Sequence, residues 1–474
     1  MAAAAVLPEA ADGITNKILH LLSTPLSSTL LRQIEAQIVL HNLHSHTKIF
    51  FNYISACKSL NLLSWALELF NQLDKPHVFV CNNLIKSFAH SSSPESSISV
   101  FTTMRKNCVA PNNYTFPFLL KALSDLRLLK HGQSLHTHVI KTGHSEDIYV
   151  QNSLMDLYAS CGSTPACLQV FDEMPHRDAV SWTTLICAHR VAGRLDEALL
   201  AFERMRFCGV LPNRVTMVNV LAACAGAGAL DMGLWVHDFI EKNGWELDVI
   251  LGTSLVDMYG KCGRIEMGLR VFCALSHKSI FTWNSLIRGL ALAKRGEDAI
   301  SWFLKMEAEG VKPDRVTLIG VLCACGHSGL VEAGRQIFHS LVDGKYGFSL
   351  DVKHYACMVD LLARSGFIEE ARGVIESLPF EPNKFIWGAL LAGCRASGNL
   401  ELCEFAARRL LELEPHNGSY YSLLSNLYME MGKWHQAEQV RKLMTERGTK
   451  KDIGCCALEL QDIEEQRDVC LPSI

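Results

Sequence analysis

Two residue groupings in this chain have the types and spacing of reaction chemistry. His144-Ser-Glu146 sets an imidazole two residues from a carboxylate, the pair with which zinc deaminases hold a metal and shuttle a proton to activate water. Closing the zinc tetrahedron takes a CxxC elsewhere, and none of the 18 cysteines lies three residues from another. His144-Ser-Glu146 therefore reads as a chance match in a loop, and no metal or other cofactor is expected. Gly226-Ala-Gly228 opens like a dinucleotide-binding loop, but Asp231 stands in the third glycine's place and no strand-like run precedes it. A tight turn between helices is the expected use. His136 and His237 occupy equivalent helix positions, as do Cys224 and Cys325, which points to packing rather than ligation. No reaction centre is left, so the chain reads as a binder and not as an enzyme.

The elements that would position a binding surface repeat. Phe101, Phe202 and Phe303 are each followed by Met104, Met205 and Met306 and then by Pro111, Pro212 and Pro313, at an interval of 101 residues. Gly132, Gly233 and Gly334 keep the interval, as do Cys161-Gly162 and Cys262-Gly263. A fixed period means a stacked array rather than one globular core. The interval divides into repeats of 35, 35 and 31 residues, which tile the chain as 12–46, 47–77, 78–112, 113–147, 148–178, 179–213, 214–248, 249–279, 280–314, 315–351 and 352–383. Two divergent repeats follow at 384–417 and 418–451, leaving short segments at 1–11 and 452–474.

Each repeat reads as two short helices. In 179–213, Leu185, Ile186 and His189 mark the first helix and Gly193 the break. Leu195, Ala198, Leu199, Phe202 and Met205 form a second apolar stripe at helical spacing, which Gly209 stops and Pro212 keeps from resuming. One such hairpin cannot bury its own apolar face, whereas a stack of them builds a continuous core. Composition agrees: 474 residues, 49% of them hydrophobic, with 14 prolines mostly at repeat boundaries and no strand-like alternation. The predicted fold class is all-α. The cysteines are expected as reduced, packed thiols, and no apolar run reaches the ~18 residues that span a bilayer, so no membrane partner is expected.

Nearly the whole chain resembles a known family. Ala179-Val-Ser-Trp-Thr183-Thr-Leu-Ile, ending in Gly209-Val-Leu-Pro-Asn213, resembles a P-type pentatricopeptide repeat. Arg214 to Asp248, with Leu221-Ala-Ala-Cys224 and Gly233-Leu-Trp-Val-His237, resembles the long L type. Val249 to Ser279, with Leu255-Val-Asp-Met-Tyr-Gly-Lys-Cys-Gly263, resembles the short S type. Alternating P, L and S repeats mark the plant PLS subfamily of pentatricopeptide proteins. His354-Tyr-Ala-Cys-Met-Val-Asp-Leu-Leu362 resembles its last S repeat, Trp387-Gly-Ala-Leu-Leu-Ala-Gly-Cys394 its first E motif and Tyr421-Ser-Leu-Leu-Ser-Asn-Leu-Tyr428 its second. The resemblance implies a right-handed superhelical solenoid of helix-turn-helix repeats. The end departs from the pattern: in Asp452-Ile-Gly-Cys-Cys-Ala-Leu-Glu-Leu460, Ile453 replaces the family's proline and Ala457 its tryptophan. No DYW-type deaminase domain is expected in this sequence.

Repeats of this kind read single-stranded RNA one base at a time. The resemblance assigns that reading to the fifth and last residues of each repeat, here Asn82 with Asn112, Asn152 with Asp178, Thr183 with Asn213, Thr253 with Ser279 and Asn284 with Asp314. Their amides, hydroxyls and carboxylates can hydrogen-bond a base edge while apolar neighbours sandwich the ring. The competing use is helix capping, since Asn, Thr and Asp also favour helix starts. By the same resemblance the pairs imply, in order, a pyrimidine, a uridine, an adenosine, a purine and a uridine. The L-type pairs Pro117 with Asp147 and Val218 with Asp248 stay unread, as do Ile319 with Asp351 and Ala356 with Asn383; Phe51 and His46 suggest packing in the first repeats.

Net charge is −4, unusual for a nucleic-acid binder, because phosphate attraction normally dominates affinity. Either basic residues line one groove, or the chain binds RNA weakly alone and relies on partners; the absence of lysine runs favours the second. Three functions compete. The leading expectation is a site-recognition factor for cytidine-to-uridine editing of organellar transcripts, recruiting a DYW-type deaminase in trans, with multiple organellar RNA editing factor proteins as further partners. Trp387, Leu390, Leu391, Leu423, Leu424 and Tyr428 are the expected docking residues. The second is an RNA stability, processing or splicing factor acting by occupancy, and the third a helical protein-binding scaffold. The amino terminus, starting Met1-Ala-Ala-Ala-Ala-Val-Leu-Pro, is a poor transit peptide: Glu9 and Asp12 interrupt it and the first arginine is Arg32. Mitochondrion or chloroplast is expected from the family, mitochondrion slightly ahead.

Overall fold

The computed structural model describes residues 8–43 and 46–447; most of the segment 1–11 and all of 452–474, with Ile453 and Ala457, lie outside the described residues. Among the described residues there are twenty-six α-helices and no strand, and no helix is long and apolar enough to cross a membrane.

The helices come in hairpins. Helix Ala179–Val191 is followed by Leu195–Phe207, with Gly193 between them at φ 71° and Gly209 beyond them at φ 71°, a left-handed conformation that costs any residue with a Cβ. Leu185, Ile186 and His189 of the first helix and Ala198, Phe202 and Met205 of the second are buried, so the two stripes face one another. The 101-residue period is a core period: Phe101, Phe202 and Phe303 and Met104, Met205 and Met306 are all buried.

Two bodies divide the chain, Met1–Ala223 and Cys224–Ile474, and each is an all-α stack of hairpins of the solenoid class. In the first body the leading helices pack in a row: Thr47–Ser59 on Val78–Ala89, then Thr115–Asp125, Ile148–Ser160 and Ala179–Val191. In the second the row runs Val249–Lys261, Ile280–Leu292, Arg315–Ser328, Val352–Arg364 and Lys384–Ser397. There it stops, because Gly418–Glu430 packs on its own partner Trp434–Glu446 and on the trailing helix Leu400–Leu413.

The periodic glycines mark where a trailing helix presses on the next leading helix. A Cβ on Gly132 would stand 2.2 Å from Leu157 Cδ2, one on Gly233 2.5 Å from Met258 Sδ, and one on Gly334 2.2 Å from Leu361 Cδ2. Helical glycine costs about 0.5–1 kcal/mol against alanine, and the close approach explains why these places accept it.

The fifteen described cysteines are free, and burial pushes the Cys167 and Cys224 thiols up to about 12, so they stay protonated. His136 Nδ1 lies 2.8 Å from the Tyr158 hydroxyl and His237 Nδ1 2.7 Å from that of Tyr259, the same pair in each body. Burial lowers the pKa of His136, His189 and His237 below the ordinary 6.5, against the opposing pull of Glu173, Glu197 and Glu241. The unfolded chain therefore takes up these protons first as pH falls. This stabilisation is complete above 6.5 and is lost as pH drops below it. The melting temperature should accordingly be lower at about pH 5.5 than at about pH 7.5, with the depressed carboxylates and raised thiols titrating outside that window. An equal or higher value at the acidic end would contradict the assignment.

Candidate nucleic-acid interface

Most leading helices begin on the last residue of the preceding repeat; Thr115–Asp125 starts two residues later, behind Tyr114, though Asn112 Oδ1 still accepts the Tyr114 and Thr115 N–H groups. Asp178 caps Ala179–Val191, accepting the Ser181 N–H at 2.9 Å; Ser279 caps Ile280–Leu292 through Thr282 and Asp314 caps Arg315–Ser328 through Thr317, all three as capping boxes. The capping use is therefore real. It coexists with a second set of contacts that join the cap to the fifth residue of its own repeat.

Asn82 Nδ2 donates to Asn112 Oδ1 at 3.0 Å, Asn152 Nδ2 to Asp178 Oδ1 at 3.3 Å and Asn284 Nδ2 to Asp314 Oδ1 at 3.1 Å. The threonine repeats are joined through an intermediary. Thr183 Oγ1 lies 2.6 Å from Thr216 Oγ1, which lies 3.0 Å from Asn213 Oδ1; Thr253 Oγ1 lies 2.7 Å from Thr282 Oγ1, which lies 3.0 Å from Ser279 Oγ. All five expected pairs are thus brought together. Burial would raise the Asp178 pKa, but hydrogen bonds from Ser181 and Asn152 outweigh it and hold the carboxyl below its usual range.

Two further features escaped sequence reasoning. One is the hydroxyl third in the following repeat: Thr115, Thr216, Thr282 and Thr317 reach both the cap and the fifth side chain, while Ser181 reaches only the cap. Its signal was present as a hydroxyl three places after each cap, the capping-box spacing. The other is an exposed apolar residue second in each of the eight repeats from 78–112 to 315–351: Phe79, Tyr114, Tyr149, Val180 and Val215 in the first body, and Ile250, Phe281 and Val316 in the second. Positions two and five are one helical turn apart and share a face, so each polar pair stands beside a large apolar side chain left in solvent. Tyr149 is 72% exposed, a position with no packing reason for an aromatic ring. Phe51, expected to pack, is 40% exposed and stands 5.7 Å from the Phe79 ring, while His46 caps Thr47–Ser59.

The decoys fall where loops belong. His144 Nδ1 sits 3.2 Å from Thr142 Oγ1 and Glu146 is exposed; Gly228 follows helix Arg214–Ala227 at φ 69°.

The E motif model matches residues 397–459, the PPR repeat family model 76–125 and 278–327, and the PPR repeat model 152–178, 180–210 and 253–280. The chloroplastic pentatricopeptide repeat-containing protein At1g08070 of Arabidopsis thaliana is 36% identical over 570 residues, covering 91% of this chain and 77% of that one. The chain belongs to the pentatricopeptide repeat family. A mitochondrial pentatricopeptide protein of the same plant, At2g22410, is 36% identical over 429 residues; the match covers 84% of this chain and the chain spans 63% of that protein. Among solved structures, the pentatricopeptide repeat protein PPR10 from maize aligns at 18% identity and a TM-score of 0.45, covering 95% of this chain and 77% of that one.

Several basic residues of this pentatricopeptide chain's leading helices already hold side-chain partners. Lys121 pairs with Asp125 at 2.9 Å and Arg364 with Asp360 at 3.0 Å, Arg288 and Lys261 flank Asp257, and Arg190 Nε donates to Asn219 Oδ1 at 3.0 Å. Paired cations offer phosphates less, which fits the net charge of −4.

Across 384–451 the expected docking residues divide; Trp387, Leu390 and Leu391 precede the matched E motif, which begins at 397. Leu390, Leu391, Leu424 and Tyr428 are at most 3% exposed, so they form the core and cannot present a face; a helical apolar stripe marks core before it marks a docking surface. Trp387 and Leu423 are half-buried, Trp387 edge-on to Phe405 at 5.6 Å. The apolar side chains left for a partner there are those two with the exposed Phe385, Phe405, Leu413, Trp434 and Leu443.

Proposed function

We propose that this chain binds single-stranded RNA in a mitochondrion or chloroplast and acts as a site-recognition factor for cytidine-to-uridine editing, with a DYW-type deaminase supplied in trans. The observation that carries the reading is the pairing of fifth and last residues in five repeats, each beside an exposed apolar residue one turn away. A base needs one flat apolar contact and a fixed set of donors and acceptors along its edge, and each such site offers both. The E motif match supports a role in recruiting another protein, to which multiple organellar RNA editing factor proteins would also belong. Paired cations and net negative charge suit a binder that gains affinity from partners.

Selection from randomised RNA by the purified chain is expected to enrich adenosine opposite 179–213 and uridine opposite 280–314. Failure to retain RNA at all would overturn the reading, and enrichment lacking that adenosine would overturn the register. Adding the chain to an organellar extract depleted of it should restore conversion of one cytidine. Protected transcript ends without conversion would instead favour action by occupancy. Conversion by the isolated chain, with no second protein present, would refute recruitment in trans.

A further inference from the structure

The intermediary hydroxyl does more than cap. Asn112 Oδ1 accepts from the Tyr114 and Thr115 N–H groups at 3.1 and 3.2 Å, so it is an oxygen, and the end of Asn82 facing it at 3.0 Å must be the NH2. Asn82 Oδ1 is therefore turned toward Thr115 Oγ1, 2.7 Å away, and two oxygens at that distance need a proton between them. Thr115 supplies it, having accepted the Asn112 N–H at 3.0 Å.

The same logic holds at Asn284. A carboxylate only accepts, so Asp314 Oδ1 at 3.1 Å faces the amide's NH2, and Thr317 donates to Asn284 Oδ1 at 2.7 Å while accepting the Asp314 N–H at 3.1 Å. Thr115 and Thr317 are wholly buried. Each has one proton, and committing it to the amide oxygen leaves the asparagine a single orientation in which its second Nδ2–H remains to donate.

Repeat 148–178 differs at this one place. Ser181 Oγ lies 2.9 Å from Asp178 Oδ1, as Thr317 Oγ1 does from Asp314 Oδ1, but it does not reach the amide: Asn152 Oδ1 is buried with no hydrogen-bond partner among the described residues. Its Nδ2 contact to Asp178 is the longest of the three, at 3.3 Å. Threonine is stiff at χ1 where serine is not, which suits it to holding a hydroxyl on a neighbouring repeat.

We infer that a threonine third in the repeat after an asparagine pair is a positioning residue for base reading: its hydroxyl, anchored on the cap's N–H, fixes which end of the fifth side chain donates and which accepts. Specificity then rests on three side chains, one of which touches no base. This deepens the RNA-binding proposal and rests on it. Repeat 148–178, with its amide oxygen unheld, discriminates less sharply than 280–314.

The test uses the full chain and RNAs that differ only at the nucleotide opposite 280–314 or opposite 148–178. Thr317→Val, which keeps the shape and removes the hydroxyl, should shrink the uridine preference at its site by about tenfold while affinity for the disfavoured RNAs stays close to wild type. Ser181→Thr should sharpen the preference at 148–178 several-fold. A purely structural role would weaken all RNAs equally and leave both ratios unmoved. A wild-type chain without preference at either nucleotide would overturn the RNA-reading proposal itself. A wild-type preference that Thr317→Val preserves and Ser181→Thr fails to raise would overturn this inference alone. Should the valine variant not fold, the serine-to-threonine gain decides.

Discussion

Asn213→Asp is expected to turn repeat 179–213 from adenosine toward guanosine, with a swing in relative affinity of about 5- to 150-fold. That range converts the ~1–3 kcal/mol by which a good side-chain contact discriminates between bases on DNA. The substitution is clean because it spares the helix start. Asn213 Oδ1 accepts the Thr216 N–H at 2.9 Å, and Asp178 and Asp314 accept the equivalent N–H groups of Ser181 and Thr317 at 2.9 and 2.8 Å. Aspartate and asparagine are near-equal caps, so folding should not move. What changes is the outward character of the side chain. An amide both donates and accepts, whereas a carboxylate only accepts, and guanine presents N1–H and N2–H where adenine presents a bare nitrogen and an amino group. Hydrogen bonds at the equivalent Asp178 overcome burial and favour the ionised form, so the introduced carboxylate is expected to be charged as well. Direct binding to an RNA pair differing at that one base checks it; a mutant that binds both equally shows that position 213 reads nothing.

How much of this could be read from sequence depended on whether a residue's role repeats with the fold or depends on a neighbour. Phe101, Phe202 and Phe303 recur because the same core place recurs, and period alone locates them. The glycines at 132, 233 and 334 were legible as periodic, but their cause lies on the next leading helix, at Leu157, Met258 and Leu361. The polar pairs were reached through family resemblance. That each pair meets a third hydroxyl across a repeat boundary required coordinates, although the residues were in plain view as capping boxes. Leu390, Leu391, Leu424 and Tyr428 went to the wrong surface because spacing says that a stripe is apolar and not what covers it. The charge question was open for a similar reason: composition gives −4, and only the fold reveals that Arg288 and Lys261 are tied to Asp257.

Gly393→Ala is expected to separate RNA binding from editing. Helix Lys384–Ser397 crosses Val352–Arg364 at this glycine, where a Cβ would stand 2.6 Å from Ala363 Cβ, 2.9 Å from the Arg364 amide nitrogen and 3.0 Å from the Asp360 carbonyl oxygen. A side chain in the way could swing aside, as Met258 could for a Cβ at Gly233, but backbone atoms cannot, so the two helices must part. Overpacking of this kind costs about 1–3 kcal/mol. Stability in a stacked array is roughly a sum over neighbouring interfaces, so the loss stays local. Helix Gly418–Glu430 packs on Leu400–Leu413, so the hairpins after 384 depend chiefly on this crossing, with a smaller contact from Ile368–Glu376, for their hold on the preceding helices. Amide exchange should therefore quicken across 384–446 and stay slow across 249–364. The polar pairs through Asp314 lie upstream of the damage, so RNA affinity should hold while editing of the target cytidine falls. Gly373→Ala is the matched control: it too lies within a helix, and a Cβ there meets nothing within 4 Å. Both substitutions gain the same helix propensity, about 1 kcal/mol, so any difference between them is the crossing. Unchanged exchange in the Gly393 variant would overturn the packing argument, and RNA affinity falling together with editing would overturn the division of labour between the repeats and the E motif region.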